Sequence, residues 1–194
     1  MEKYNITIVI SLFFFINCKS QTEVDLSTFN QGTNTGKYFK DINNDFLNFL
    51  GTWEGLMPNN KTFRIHLFKM TKVDFTSPPN GYFKDLIGGS FELIDNANTP
   101  NEIVIHNSIK YYPQSNTTST NVMYFVSTDG IKCGGFMEDN YGNDGTEIFT
   151  TRVLMEILDM NANQLQIHWT AKRKMMFQGW HLSIPTDIVL TKQP

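Results

Sequence analysis

The chain has 194 residues and a net charge of −3; hydrophobic residues make up 40% and aromatics 13%, and the 16 Lys and Arg are scattered. Removing an N-terminal export segment leaves about 175 residues, which fits one domain with one core and is too apolar for a disordered body. No segment masses basic residues, which excludes a nucleic-acid-binding face.

The first twenty residues read as a signal peptide. Lys3 supplies a positive start, and Ile6 to Ile16 form an apolar run broken only by Thr7 and Ser11, too short to span a bilayer. Two cleavage positions fit. Processing before Cys18, in Phe15-Ile16-Asn17-Cys18, makes Cys18 the lipid attachment residue and gives a membrane-anchored lipoprotein of the cell envelope. Processing after Ser20 releases a periplasmic or secreted protein that begins at Gln21. The lipoprotein reading is preferred, although Asn17 stands where such signals usually carry Gly, Ala or Ser.

Residues 21–40 are polar and rich in Gly, Asn and Thr, the composition of a flexible stalk. The domain is expected over 41–194. It opens with a short amphipathic helix, because Ile42, Phe46, Phe49 and Leu50 recur at helical spacing with Asp41 as N-cap and Gly51 as the stop.

After Gly51 the period becomes two. In Gln164 to Lys174, Leu165, Ile167, Trp169 and Ala171 alternate with Gln166, His168, Thr170 and Lys172, which predicts a half-buried antiparallel strand. Glu147 to Leu158 is its hairpin partner, across a polar turn at Asp159 to Asn163. Further strands are expected at Thr62–Val73, Leu86–Asp95, Glu102–Tyr111, Asn121–Ser127, Ile131–Glu138 and Asp187–Lys192. Many short strands without βαβ alternation predict an all-β fold, as a barrel or a sandwich. The barrel is preferred, because closure leaves no unpaired edge on a secreted chain without disulfides. Gly88-Gly89 and Gly134-Gly135 read as bends in its strands.

Gly51-Thr52-Trp53, directly after the short helix and opening the first strand, resembles the Gly-x-Trp start of the lipocalin and calycin superfamily. That resemblance implies a single antiparallel lipocalin-like barrel in which Gly51 and Trp53 belong to a plug at the closed end, with a basic residue across the tryptophan ring. Arg173 is the candidate for that cation by strand parity. Lys192 on the last strand is the alternative, and a frayed strand would instead leave Arg173 in water. The whole chain also resembles a group of small uncharacterised flavobacterial proteins, exported or lipid-anchored, that share a domain of unknown function. The likeness rests on Cys18-Lys19-Ser20-Gln21, Tyr38 to Asn44, Phe49 to Trp53 and Pro185 to Lys192. It implies a compartment and an architecture and carries no functional residue.

The chemistry-bearing residues form no catalytic constellation. His66, His106, His168 and His181 have no partner at zinc-ligand spacing, so no metal or cofactor is expected, and His106 and His168 read as solvated surface residues. The acidic loop Glu138 to Gly145 lacks the alternating ligands of a calcium loop and reads as a polar hairpin connection. Cys133 reads as a lone buried thiol. Tyr82, Phe83, Tyr111, Tyr112, Tyr141 and Trp180 lie in or beside connections, where they cap the core or rim a binding mouth. Two functions fit: an exported protein that binds a small apolar ligand in its barrel, or an envelope interaction module with a solid barrel and a protein or glycan partner.

Overall fold

The computed structural model describes residues 21–29, 33–58, 60–75, 81–108, 110–112, 117–119, 123–139, 149–160, 163–172 and 184–194. The first twenty residues with Cys18, the body of the acidic loop, and Arg173, Trp180 and His181 lie outside them.

In chain order the strands are β1 (Thr22–Asp25), β2 (Lys37–Lys40), β3 (Gly51–Leu56), β4 (Thr62–Phe75), β5 (Tyr82–Asp95), β6 (Ile103–Asn107), β7 (Lys110–Tyr112), β8 (Thr117–Ser119), β9 (Met123–Ser127), β10 (Lys132–Asp139), β11 (Phe149–Ile157), β12 (Gln166–Lys172) and β13 (Asp187–Lys192). Strands β3, β4, β5, β9, β10, β11, β12 and β13 pair antiparallel, each with the next, and β13 returns to β3 through Thr191 opposite Glu54 and Lys192 opposite Trp53. The protein is therefore all-β, a closed eight-strand barrel in the up-and-down order that lipocalins also use. Strands β6, β7 and β8 interrupt the meander between β5 and β9, and β1 and β2 lie outside it. The expected strand Glu102–Tyr111 is broken after Asn107, at Ser108, whose buried hydroxyl accepts from the Phe91 N–H of β5 at 3.0 Å.

Alternation works as the period predicts. Phe63, Ile65 and Leu67 of β4, Phe91 of β5, Phe125 of β9 and Trp169 of β12 are buried on the inner faces. The Trp169 ring lies 5.4 Å from Phe63 and 6.3 Å from Phe125, strands on opposite sides of the ring, so aromatic contacts meet at the barrel axis. Gly135 lets β10 approach β9 closely, since a Cβ there would strike the Tyr124 carbonyl oxygen.

Two expectations are corrected. The segment after Asp41 is no α-helix, and no α-helix occurs among the described residues. Asp41 does cap it, accepting from the Asp45 N–H at 2.8 Å, but Asn44 takes a left-handed φ of 59° and the chain continues as turns with Leu47 N–H to Asn44 and Phe49 N–H to Phe46 bonds. Tertiary partners use its carbonyls instead: the Trp53 indole N–H donates to Phe49 O at 2.7 Å and Lys192 Nζ to Asn48 O at 3.4 Å. Phe46 and Phe49 are buried, while Ile42 and Leu47 point to solvent, so the apolar spacing marked a plug rather than a helix face.

The expected stalk at 21–40 is folded in part. Strand β1 pairs parallel with β2, and β2 pairs parallel with β5 through Tyr38 opposite Phe83 and Phe39 opposite Lys84. Phe39 is fully buried, with Phe29 and Tyr82 packed on it at 5.0 and 5.9 Å. Three aromatics gain more from leaving water than a tether of this composition gains from staying in it.

Asp85 fastens these pieces together. Its buried carboxylate accepts from Tyr38 Oη at 2.6 Å, from the Asp41 N–H at 3.1 Å and from the Lys72 N–H at 2.9 Å, and Lys69 Nζ bridges it to Asp41 at 3.8 and 2.8 Å. Lys72 sits in the bulge of β4 with φ 53°, a strained state that this bond holds. Replacing Asp85 with Ala orphans three donors at once and should cost about 3–5 kcal/mol of stability. Urea unfolding of the variant measures it, and a loss below about 1 kcal/mol would show the network to be dispensable.

Candidate functional site

A groove of about 810 Å³ runs along the outside of the barrel, between the Leu26–Phe29 segment and the outer faces of β5, β9 and β10. Its size falls within the range of about 300–1,000 Å³ typical of small-molecule sites. The sheet register sets its floor. Ile87 lies opposite Phe125, so Leu86 of β5, Val126 of β9 and Gly134 of β10 form one outward-facing row. Tyr124 lies opposite Phe136 in the next row.

Leu26 and Phe29 make the far wall. The carboxylate of Asp25 accepts from the Ser27 N–H at 2.7 Å and starts a 3-10 turn, and Leu26 in that turn is buried. The rim is apolar: Phe75 is 37% exposed, Tyr124 40% and Phe136 56%. Gly134 differs from its neighbour Gly135. A Cβ at 134 would meet nothing closer than Leu154 Cδ1 at 4.0 Å, so the glycine leaves the floor open without any need of its own.

One charged group faces this surface. Lys84 Nζ lies 3.8 Å from the centroid of the Phe29 ring, a cation–π contact. Burial pushes its amine down to about 8, and no carboxylate pairs with it among the described residues. The nearby acids are engaged elsewhere: Asp25 holds Ser27 and Asn43, and Asp85 faces the barrel interior. A half-buried ammonium with only an aromatic partner is an uncompensated cation in an apolar trough.

The residues singled out in the sequence lie elsewhere. Trp53 is fully buried at the closed end with Lys192 Nζ 5.4 Å from its ring centroid, so Lys192 holds the position for which Arg173 was the first candidate. Gly51 has a φ of 116°, and a Cβ there would meet the Lys192 stem at 3.2 Å, which accounts for glycine before the tryptophan. Lys192 is held below its usual range by burial. Cys133 is fully buried in the barrel, and its thiol is pushed up by desolvation, away from nucleophilic use.

Among the described residues no three His, Cys, Asp or Glu side chains are placed to hold a metal ion. His168 meets Asp187 at 2.9 Å and His66 meets Thr52 at 3.1 Å, while His106, expected in solvent, stands edge-on to Phe91 at 5.5 Å. Arg64 gathers Glu54, Glu92 and Glu102 on the opposite end of the outer surface, where it pins the β5–β6 connection. Tyr82 of the expected aromatic set stacks on Phe75 at 5.2 Å beside the groove.

Sequence reasoning missed the groove because its walls come from three distant stretches, one of them read as a stalk. A signal was present: Leu86-Ile87 and Tyr124-Phe125-Val126 are apolar at both parities, the mark of strands covered on two faces.

The lysine generates a pH test. An unfolded lysine titrates near 10.4 and the folded Lys84 near 8, so between these values the unfolded chain binds more protons and wild-type stability rises with pH. Lys84→Met lacks this gain. The stability difference between the two proteins should be constant below pH 8 and shift in favour of wild type up to about pH 10.4. Thermal unfolding of the pair across that window measures it, and a pH-independent difference would mean that Lys84 is solvated.

No curated protein and no solved structure matches this chain. Residues 1–193 match the family of unknown function DUF6705, and since the match spans nearly the full length, the chain belongs to that family.

Proposed function

We propose that the protein is an exported, lipid-anchored binding module of the cell envelope that holds a small apolar ligand, and that the ligand lies in the outer groove rather than on the barrel axis. The groove carries this reading. It combines a volume suited to a small molecule, a floor and rim of aliphatic and aromatic side chains, and one lysine for orientation that pairs with no carboxylate among the described residues. The axis is a poorer site at the level of Trp169, where rings from β4, β9 and β12 already touch. Anchoring rests on the sequence: a signal whose apolar run ends at Cys18 leaves that cysteine available for acylation.

A second reading has its own support. Leu154 of β11, 40% exposed, extends the Gly134 row, so the apolar surface continues past the groove and could meet a partner protein in the envelope.

Two experiments test these proposals. Gly134→Phe starts from a Cβ that meets nothing closer than 4.0 Å and places a ring over the floor, so it should reduce binding of a neutral naphthylamine dye at least about tenfold while leaving the unfolding midpoint within a few degrees. Unchanged dye binding would rule out the groove. Cys18→Ser should move the protein from the membrane to the soluble fraction of its native host, read by fractionation and labelled-palmitate incorporation; equal distribution of the two proteins would sink the lipoprotein assignment.

A further inference from the structure

We infer that the groove is specific for an anionic amphiphile, a single-chain carboxylic acid whose head pairs with Lys84 and whose chain lies across the outer faces of β5, β9 and β10. This rests on the groove being the binding site.

The argument is one of charge complementarity and layout. Lys84 stands at one end of the trough, one pleat step along β5 from Leu86 and on the same face. From it the apolar surface continues through the row of Leu86, Val126 and Gly134 to Phe136, two strands across and about 16 Å away. A polar group at one end and an unbroken apolar track beyond it match a molecule with a head and a tail.

The sign of the head follows from the groups around it. Lys37 lies 6.0 Å from the ring of Phe39, the register partner of Lys84 on β2, so a second cation stands on this face of the sheet, whereas Lys72 lies over Phe83 on the opposite face. Asp74 lies on adjacent β4 beside Val73, the register partner of Lys84, and Glu23 on β1 is paired with Lys40 at 3.0 Å. An amine head would meet Lys84 with Lys37 nearby on the same face, and an uncharged head would leave the Lys84 ammonium desolvated without a counter-ion. A carboxylate supplies the missing partner as a charge-assisted hydrogen bond inside a shielded trough. A multiply charged head such as a nucleotide needs more donors than one lysine in the groove provides.

The test is titration of the full chain at pH 7 with monomeric dodecanoate, dodecanol and dodecylamine. Dodecanoate should bind at least about tenfold more tightly than dodecanol, with dodecylamine weakest. Lys84→Met should keep dodecanol binding and lose the preference for the acid, and Lys84→Arg should restore it. Equal binding of acid and alcohol to wild type overturns the head-group assignment and leaves the groove intact as an apolar site. No binding of any of the three overturns the groove reading itself. Association with anionic phosphatidylglycerol vesicles without a complex with monomeric dodecanoate overturns the inference in favour of a membrane surface.

Discussion

The carboxylate of Asp85 holds the rest of the molecule in place. It lies where three pieces of chain converge: the Tyr38 strand, the Asp41 start of the plug, and the Lys72 bulge of β4. Each contributes a donor that would otherwise be buried without a partner, and the Lys69 ammonium between Asp85 and Asp41 offsets the paired negative charge. The phenol of Tyr38 is raised above its usual range by burial and by this carboxylate, and so remains a neutral donor. A satisfied network of this kind fixes position more than it adds stability, because the desolvation of its charges absorbs most of what their attraction supplies.

That fixing has a structural consequence at a distance. With β2 tied to β5, the chain leading into it packs Phe29 and Leu26 against the outer sheet, and the space between this segment and β10 is the groove. The barrel itself is an ordinary closed meander whose axis is crossed by aromatic rings at Trp169. A β-barrel of eight strands is narrow enough for side chains to fill, so an outer groove is the place where a ligand can be held without emptying the core.

The closed end shows a division of labour between local and distant residues. Trp53 depends on a lysine from the last strand, and that lysine reaches it because Gly51 has no side chain to obstruct its stem. The plug segment keeps the capping function of Asp41 but not the helix, since Asn44 turns to a left-handed φ of 59°, and its last carbonyls accept from Lys192 and Trp53. Propensity is a weak force beside two tertiary hydrogen bonds and the burial of Phe46 and Phe49.

Alternation of apolar and polar residues was enough to establish an all-β chain, to place β12 and β13 closely and to put Trp169 on an apolar face, while the Gly-x-Trp resemblance set Trp53 in the first strand of the barrel. This pattern is legible because side-chain direction along a strand is a local property with period two. Three things were decided only when the chain closed on itself: whether 21–40 stayed free or docked, which cation met Trp53, and whether the outward apolar residues of β5, β9 and β10 faced water or a wall. Each depends on which strand edges and faces become neighbours across tens of residues, and in a closed meander that is settled by the pairing of β5 with β9 and of β13 with β3. Lys84 illustrates the limit: in sequence it is one lysine among scattered charges, and it becomes the cation of the groove because Phe29, more than fifty residues earlier, folds over it.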